Sequence, residues 1–159
     1  MGNTPPPPHS RWPAALILTL SAAACAGYAV LTAPDTHATA PERAERVQIE
    51  RRIADGRADS NDWLAYAAHL QAAGQAADAA EACFEALKRA PYNRTALYRR
   101  AIALATAGQT AELQAFLTEL TVSDAKLAVD VFAHIAVRPY LARADFRRLF
   151  EEARSQAID

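Results

Sequence analysis

The chain has 159 residues, of which 52% are hydrophobic and 22% are charged, a balance typical of a folded protein. Its formal net charge of -1 argues against nucleic-acid binding driven by phosphate neutralisation, so we expect no nucleic-acid partner. The two cysteines exclude a disulfide framework and a four-cysteine zinc site. With 40 alanines and only 5 glycines, the composition favours closely packed helices, because Ala has the highest helix propensity. We therefore predict an all-α fold.

The N-terminal part has the pattern of a membrane tether. Residues 1–12 include a run of prolines and are predicted to be a disordered arm. Residues 13–33 carry no charge and are long enough, at about 1.5 Å per residue, to cross a hydrocarbon core of ~30 Å. We predict a single transmembrane helix that acts as a signal anchor. Arg11 precedes this helix and Asp35 follows it. With the helix in a bacterial inner membrane, the positive-inside rule therefore places the N-terminus in the cytoplasm and the rest of the chain in the periplasm.

Two other fates of this segment stay open. Residues 38–40, Ala-Thr-Ala, resemble a signal-peptide cleavage site. The sequence before Cys25 resembles a lipobox, although it lacks the usual large aliphatic residue, and Cys25 would then carry a lipid.

Small residues three or four apart predict a face for packing on another transmembrane helix, although an anchor of low hydrophobicity gives the same pattern. They are Ala22, Ala23, Ala26, Gly27, Ala29 and Ala33.

Residues 34–59 are predicted to be a linker followed by a juxtamembrane helix. Prolines bound the linker, and Glu42 to Asp55 forms the helix, which Gly56 ends. Its thin apolar stripe consists of Val47, Ile49 and Ile53. Two interpretations stay open: a solvated spacer, or a helix that packs on the next segment or on a partner.

An internal repeat of 34 residues is the strongest pattern in the sequence. Residues 60–93 align with residues 94–127, so that Leu70 aligns with Leu104 and Gly74 with Gly108. Each window contains two apolar-periodic segments around its glycine, which predicts an antiparallel pair of helices. The predicted helices are Asp62–Ala73, Ala76–Arg89, Thr95–Ala107 and Thr110–Thr121. Small residues are expected where these helices cross, at Ala67, Ala79, Ala86 and Ala101.

The first window resembles a tetratricopeptide repeat, and the second is a weaker copy without the Trp and the closing Pro. The matching positions are Trp63, Ala67, Leu70, Gly74, Ala79, Ala86 and Pro91, while Tyr66 and Cys83 depart mildly from the pattern. The resemblance implies a short helix-turn-helix solenoid over residues 60–159.

Residues 128–159 are predicted to hold a partial third unit and a C-terminal capping helix. We expect one helix at about Ala125–Val137, which Pro139 ends, and an amphipathic helix at Ala144–Gln156. Such a helix would cover the last hydrophobic face of a repeat array. Phe132, Tyr140, Phe146 and Phe150 are expected to complete the core, the alternative being that Phe146 and Phe150 face a partner.

No pattern in the sequence indicates catalysis. The four histidines are scattered without metal-ligand spacing, and no haem, phosphate-loop or nucleophile motif occurs. We expect Cys83 to be a small core residue and His69 to lie on the surface or in a groove. We therefore predict that the chain is not an enzyme and has no cofactor and no metal.

The resemblance implies that a peptide or protein binds along the concave face formed by the first helix of each pair. Leu64 and Ala68 stand where the carboxylate clamp of some family members has Lys and Asn, so we do not expect that clamp. The alternative is that these residues only pack helix against helix. The predicted groove consists of Asn61, Leu64, Ala65, Ala68, Gln71, Thr95, Tyr98, Arg99, Ile102 and Phe132.

Together these features predict a non-enzymatic scaffold: a membrane-tethered repeat domain that binds a protein partner, as an accessory subunit or assembly factor of a membrane complex. One alternative resembles the membrane-anchored repeat proteins of cytochrome c maturation, which present apocytochromes. Another is a lipoprotein for envelope or pilus assembly, lipidated at Cys25.

Overall fold

The computed structural model describes residues 39–158, and all regular secondary structure in this range is helical. This confirms the prediction of an all-α fold for that part of the chain. The transmembrane helix predicted at residues 13–33, its small-residue face and Cys25 lie outside the described residues. No helix within residues 39–158 combines the length and the hydropathy that crossing a bilayer requires. The helices are α1 Ala40–Ala54, α2 Ser60–Ala72, α3 Ala76–Arg89, α4 Arg94–Thr106, α5 Thr110–Ser123, α6 Ala125–Ala133, a 3-10 helix Arg138–Ala142, and α7 Ala144–Ile158.

The helices repeat with the spacing of the sequence. Helix α4 begins 34 residues after α2, and α5 begins 34 residues after α3. The turns inside the two pairs also match, because Gly74 and Gly108 have φ values of +76° and +70°. After each glycine, the next N–H donates to a helix carbonyl: that of Gln75 to Leu70 at 2.9 Å, and that of Gln109 to Leu104 at 3.0 Å. These bonds close a Schellman turn, which ends one helix and starts the antiparallel one.

Side-chain caps fix where α2, α4 and α6 begin. The Asp59 carboxylate accepts a hydrogen bond from the Asp62 N–H at 2.9 Å and so caps α2. Asn93 Oδ1 accepts from two N–H groups of the first turn of α4, at 3.1 and 3.2 Å. Asp124 Oδ1 accepts from the Leu127 N–H at 3.0 Å and starts α6 directly after α5. Each cap satisfies N–H groups that lack a partner within the helix.

Alanine occupies the positions where the helices pack most closely. Ala67, Ala79, Ala86 and Ala101 are at most 2% exposed, as their alignment in the repeat predicts. Larger residues, among them Leu113, Leu117 and Leu120, fill the remaining core, and Cys83 is buried with them at 1% exposure. The predicted core role of Cys83 is therefore confirmed. A core built this way leaves little room for larger side chains at the crossing points.

Helix α6 is shorter than predicted, because it ends at Ala133 and not at Val137. His134 adopts an extended conformation, with φ -69° and ψ 139°, and its Nδ1 accepts a hydrogen bond from the Ala136 N–H at 3.2 Å. This bond occupies an N–H that a continuing helix would use internally. The turn also buries Val137 completely before the 3-10 helix starts. Pro139 therefore falls inside the 3-10 helix and is not what ends α6.

Aromatic residues close the core at the C-terminal side, as predicted. Phe132 and Phe146 are 1% and 0% exposed, and Phe150 and Tyr140 pack against the core while half-buried. The ring centroids of Phe132 and Phe150 are 5.4 Å apart, and those of Tyr140 and Phe146 are 5.2 Å apart. The Tyr140 hydroxyl also donates to the Ala105 carbonyl at 2.9 Å. These contacts attach the last two elements to α4 and α6.

The first described helix packs on the repeat and is not a free spacer. Ile49 of α1 is 1% exposed, whereas Val47 is 58% exposed, so only part of the predicted stripe is buried. Arg52 donates to both carboxylate oxygens of Asp62 in α2, at 2.9 and 2.5 Å. Burial of one apolar side chain together with a bidentate ion pair attaches α1 to α2.

Candidate partner-binding depression

An open depression of about 650 Å³ lies on the face formed by α2, α4 and the end of α6. All of its lining residues come from the first helix of each pair or from the C-terminal cap of α6. Six of the ten residues predicted for the groove line it. The lining consists of Ala68, Gln71, Ala72, Arg94, Thr95, Tyr98, Arg99, Ile102 and His134.

Four of the predicted groove residues lie elsewhere. Leu64 and Phe132 are only 8% and 1% exposed and belong to the core. These two residues therefore pack helix against helix, which was the stated alternative to a place in the groove. Asn61 is exposed and Ala65 half-buried on α2, outside the lining of the depression. Leu64 shares its helix face with the buried Ala67, three residues further on, and this face turns toward the core.

Three residues of the lining were not predicted, and two of them follow from helix periodicity. Ala72 comes one turn after Ala68 on α2, and Arg94 comes one turn before Tyr98 on α4, so each shares a face with a predicted residue. His134 had no such signal. Its place in the depression depends on the early end of α6, which the sequence pattern did not indicate.

Arg99 is the less exposed of the two arginines that line the depression. Its side chain is half-buried, and its Nη1 donates to the backbone carbonyl of Leu64 at 3.3 Å. Within residues 39–158, no ion pair places a carboxylate within 4.0 Å of this guanidinium. The carbonyl orients the guanidinium without neutralising it, so its positive charge faces the open depression.

Arg94 adds a second positive charge near the start of α4. Its Nε lies 3.3 Å from Oδ2 of Asp124, and its side chain remains 57% exposed. The Asp124 side chain is more restrained than that of Arg94, because its other carboxylate oxygen caps α6. This pair holds Arg94 beside the depression, and its exposure makes the pair weak and open to exchange with a ligand.

Tyr98 and His134 form the aromatic part of the lining. Their rings meet edge to face, with centroids 6.0 Å apart and an interplanar angle of 87°. Because Nδ1 of His134 accepts the Ala136 N–H, the proton of the neutral imidazole is on Nε2. His134 is therefore a hydrogen-bond donor through Nε2, next to the phenol ring.

The depression combines apolar and polar groups. Ile102 and two alanines give it apolar area, while two arginines, His134, Gln71 and Thr95 supply polar groups.

Cys83 belongs to the core, and burial raises its pKa to about 11, so its thiol is protonated at neutral pH. No group of three His, Cys, Asp or Glu within residues 39–158 is placed to hold a metal ion. No protein-family model matches the chain, and neither does any curated protein or solved structure.

Proposed function

We propose that residues 60–158 form a tetratricopeptide-like repeat domain that binds a protein partner in the depression on its first helices. The domain would act as a scaffold, an accessory subunit or an assembly factor of a membrane complex, and not as an enzyme. Residues 13–33 would hold it at the membrane, a part of the proposal that rests on the sequence alone.

One observation carries the proposal: of the elements within residues 39–158, the depression is lined only by α2, α4 and the end of α6. In a stack of helical pairs with a constant spacing, the first helices share one side and form a continuous surface. Here that surface is open, about 650 Å³ in volume, and combines apolar with polar groups. Shape and composition suit an extended peptide segment, whose backbone and side chains need both kinds of contact.

The proposal predicts that a bulky residue in the depression blocks partner binding. Thr95 is exposed on α4 inside the depression, and Thr118 is exposed on α5 outside its lining. The full chain carrying an affinity tag, with Thr95→Trp or with Thr118→Trp, would be purified from solubilised membranes of the cells that produce it. Quantitative mass spectrometry would then compare the proteins that co-purify with each variant.

We expect a partner that co-purifies with the unchanged chain and with Thr118→Trp to be lost or strongly reduced with Thr95→Trp. Circular dichroism would verify that both variants keep their helical content. Recovery of the same partners with all three chains would contradict binding in the depression. Recovery of no specific protein with any of them would contradict the scaffold function itself.

A further inference from the structure

The charge of the depression identifies the chemical class of its ligand, given the proposed function on which this inference rests. Among the described residues its lining includes two arginines and one histidine but no Asp or Glu, and the acidic group shown beside it is Asp124, which pairs with the exposed Arg94. The whole chain carries 18 acidic against 17 basic residues, so this imbalance is local and does not follow from the composition. A surface of this kind attracts acidic groups and repels basic ones.

The groups that can donate to a carboxylate are spread over the depression and not gathered at one point. Arg94 and Arg99 are five residues apart on α4, which corresponds to about 7.5 Å along the helix axis. His134 approaches from a different element, the end of α6. A single carboxylate is too small to contact all three groups, whereas successive acidic side chains of one peptide can.

The first turn of α4 offers no additional anion site. The N–H groups of Thr95 and Ala96 donate to the Asn93 side chain, so they are already satisfied. Recognition of acidic groups would therefore depend on the side chains, Arg99 foremost, because within residues 39–158 the hydrogen-bond partner shown for its guanidinium is a backbone carbonyl and not a carboxylate. Apolar side chains of the same ligand would contact Ala68 and Ala72, and the small exposed part of Ile102, which is 7% exposed.

We propose that the depression binds an internal acidic segment of the partner protein, in which Asp or Glu side chains alternate with apolar ones. The acidic side chains contact Arg99, Arg94 and His134. The apolar side chains lie against α2 and the middle of α4.

The test uses fluorescence anisotropy with the full chain and a labelled, C-terminally amidated peptide in which Leu alternates with Asp. We expect this peptide to bind at least about tenfold more tightly than the same peptide with Asn in place of Asp. Its affinity should fall as salt rises, because the charges are partly exposed. A third peptide with a free C-terminus should gain little, since the side chains and not the terminal carboxylate carry recognition.

Two substitutions locate the effect. Arg99→Gln should weaken binding of the Asp peptide about tenfold and leave the Asn peptide unchanged. Arg148→Gln, at an exposed position on α7 outside the lining, should change neither. If Arg99→Gln lowers the helical content, Arg94→Gln at the more exposed position replaces it.

Equal binding of the Asp and Asn peptides, or no binding of either, would overturn the acidic ligand. A large gain from the free C-terminus would instead assign recognition to a terminal carboxylate and overturn the internal segment. None of these results decides whether a partner binds in the depression, because the comparison of Thr95→Trp with Thr118→Trp tests that separately.

Discussion

At the scale of single residues, Arg100 shows how this repeat accommodates a charge between its helices. The guanidinium carbon lies 4.5 Å from the ring centroid of Phe84 and 5.0 Å from that of Phe116. Its Nε is buried, and no hydrogen-bond partner for it exists within the described residues. Burial lowers the pKa of Arg100. The two aromatic faces therefore replace part of the hydration that the cation loses.

Substitution of Arg100 separates the contribution of ring stacking from that of charge. Arg100→Lys should lower the free energy of unfolding by about 1 kcal/mol, because an ammonium cannot stack its plane on two rings. Arg100→Met should cost less, since it fills the space without a buried charge. Urea unfolding of the full chain measures both values. A lysine variant as stable as the unchanged protein would contradict this description. So would a methionine variant less stable than the lysine variant.

The buried thiol of Cys83 gives a second prediction at this scale. Burial raises its pKa from an ordinary 9.0 to about 11, so the folded protein holds the thiol in its neutral form. A Cys25→Ala background leaves Cys83 as the sole thiol. At pH 8, iodoacetamide should modify it at least about 100-fold more slowly than in the guanidinium-unfolded chain, because the folded chain has less thiolate and its 1% exposure also limits access of the reagent.

The pH dependence of this reaction gives the control. In the unfolded chain the rate should level off as the pH passes the ordinary thiol pKa, whereas in the folded chain it should still rise toward pH 11. Folded and unfolded rates within about threefold of each other at pH 8 would show that the thiol is not held in its neutral form.

At the scale of elements, the two glycine turns determine how the helical pairs close. Gly108 has a φ of +70°, and a Cβ added there would meet no atom within 4 Å. The cost of a substitution is therefore that of the left-handed backbone alone. Gly108→Ala should lower stability by about 1 kcal/mol, and Gly108→Asn by less, because Asn tolerates this conformation better.

Thermal unfolding of the full chain measures the stabilities of the unchanged chain, Gly108→Asn and Gly108→Ala, which should decrease in this order. Ala107→Gly, one residue earlier and in a right-handed conformation, is the matched control. It should destabilise slightly and not stabilise, because it adds freedom to the unfolded chain. An Ala variant at position 108 as stable as the unchanged protein would show that the left-handed turn is not required.

Attachment of α1 to α2 depends on pH through Asp62. Its hydrogen bonds from Arg52 hold the pKa of this carboxyl below the ordinary value. The ion pair therefore contributes fully above about pH 4, where the carboxyl is charged even in the unfolded chain. Its contribution falls as the pH drops through the lowered pKa. Below that range, α1 should separate from α2 more often.

Hydrogen exchange of the α1 amides measures this attachment. Arg52→Gln removes the ion pair but leaves the Asp59–Asp62 capping box, so the protection of α1 at pH 7 should fall about twofold to fivefold. Arg51→Gln, at the exposed neighbouring position, should change little. On lowering the pH, protection should fall further in the unchanged chain than in Arg52→Gln. Equal protection in both variants at pH 7 would contradict a role for the pair.

At the scale of the whole molecule, the sequence predicted what depends on local patterns. The helical pairs, the glycine turns and the small residues at the crossings follow from apolar periodicity and a 34-residue repeat, and the structure shows them. Leu64 and Phe132 were predicted both for the groove and, alternatively, for packing in the core, and the choice did not follow from the sequence, since it depends on how far each helix rotates against its neighbours. The early end of α6 did not follow either, because it depends on one His134 hydrogen bond and on burial of Val137.

The candidate site was also predicted only where it depends on local sequence patterns. Residues on α2 and α4 could be assigned from their position within the repeat, and six of them line the depression. The contribution of His134 could not, because the third unit departs from the repeat spacing: α6 starts directly after α5 without a loop. That Arg94, Arg99 and His134 share one surface could not be predicted either, because Arg94 and His134 were not among the predicted groove residues.

The central claim is that a partner protein binds on the first helices, and site-specific photo-crosslinking tests it most directly. A photo-reactive amino acid would replace Tyr98 in the depression, and in a second chain Ala115, which is exposed on α5. Both full chains would be irradiated in the cells that produce them. We predict a discrete crosslinked protein from position 98 and none from position 115. No adduct at position 98, or the same adducts from both positions, would contradict the claim.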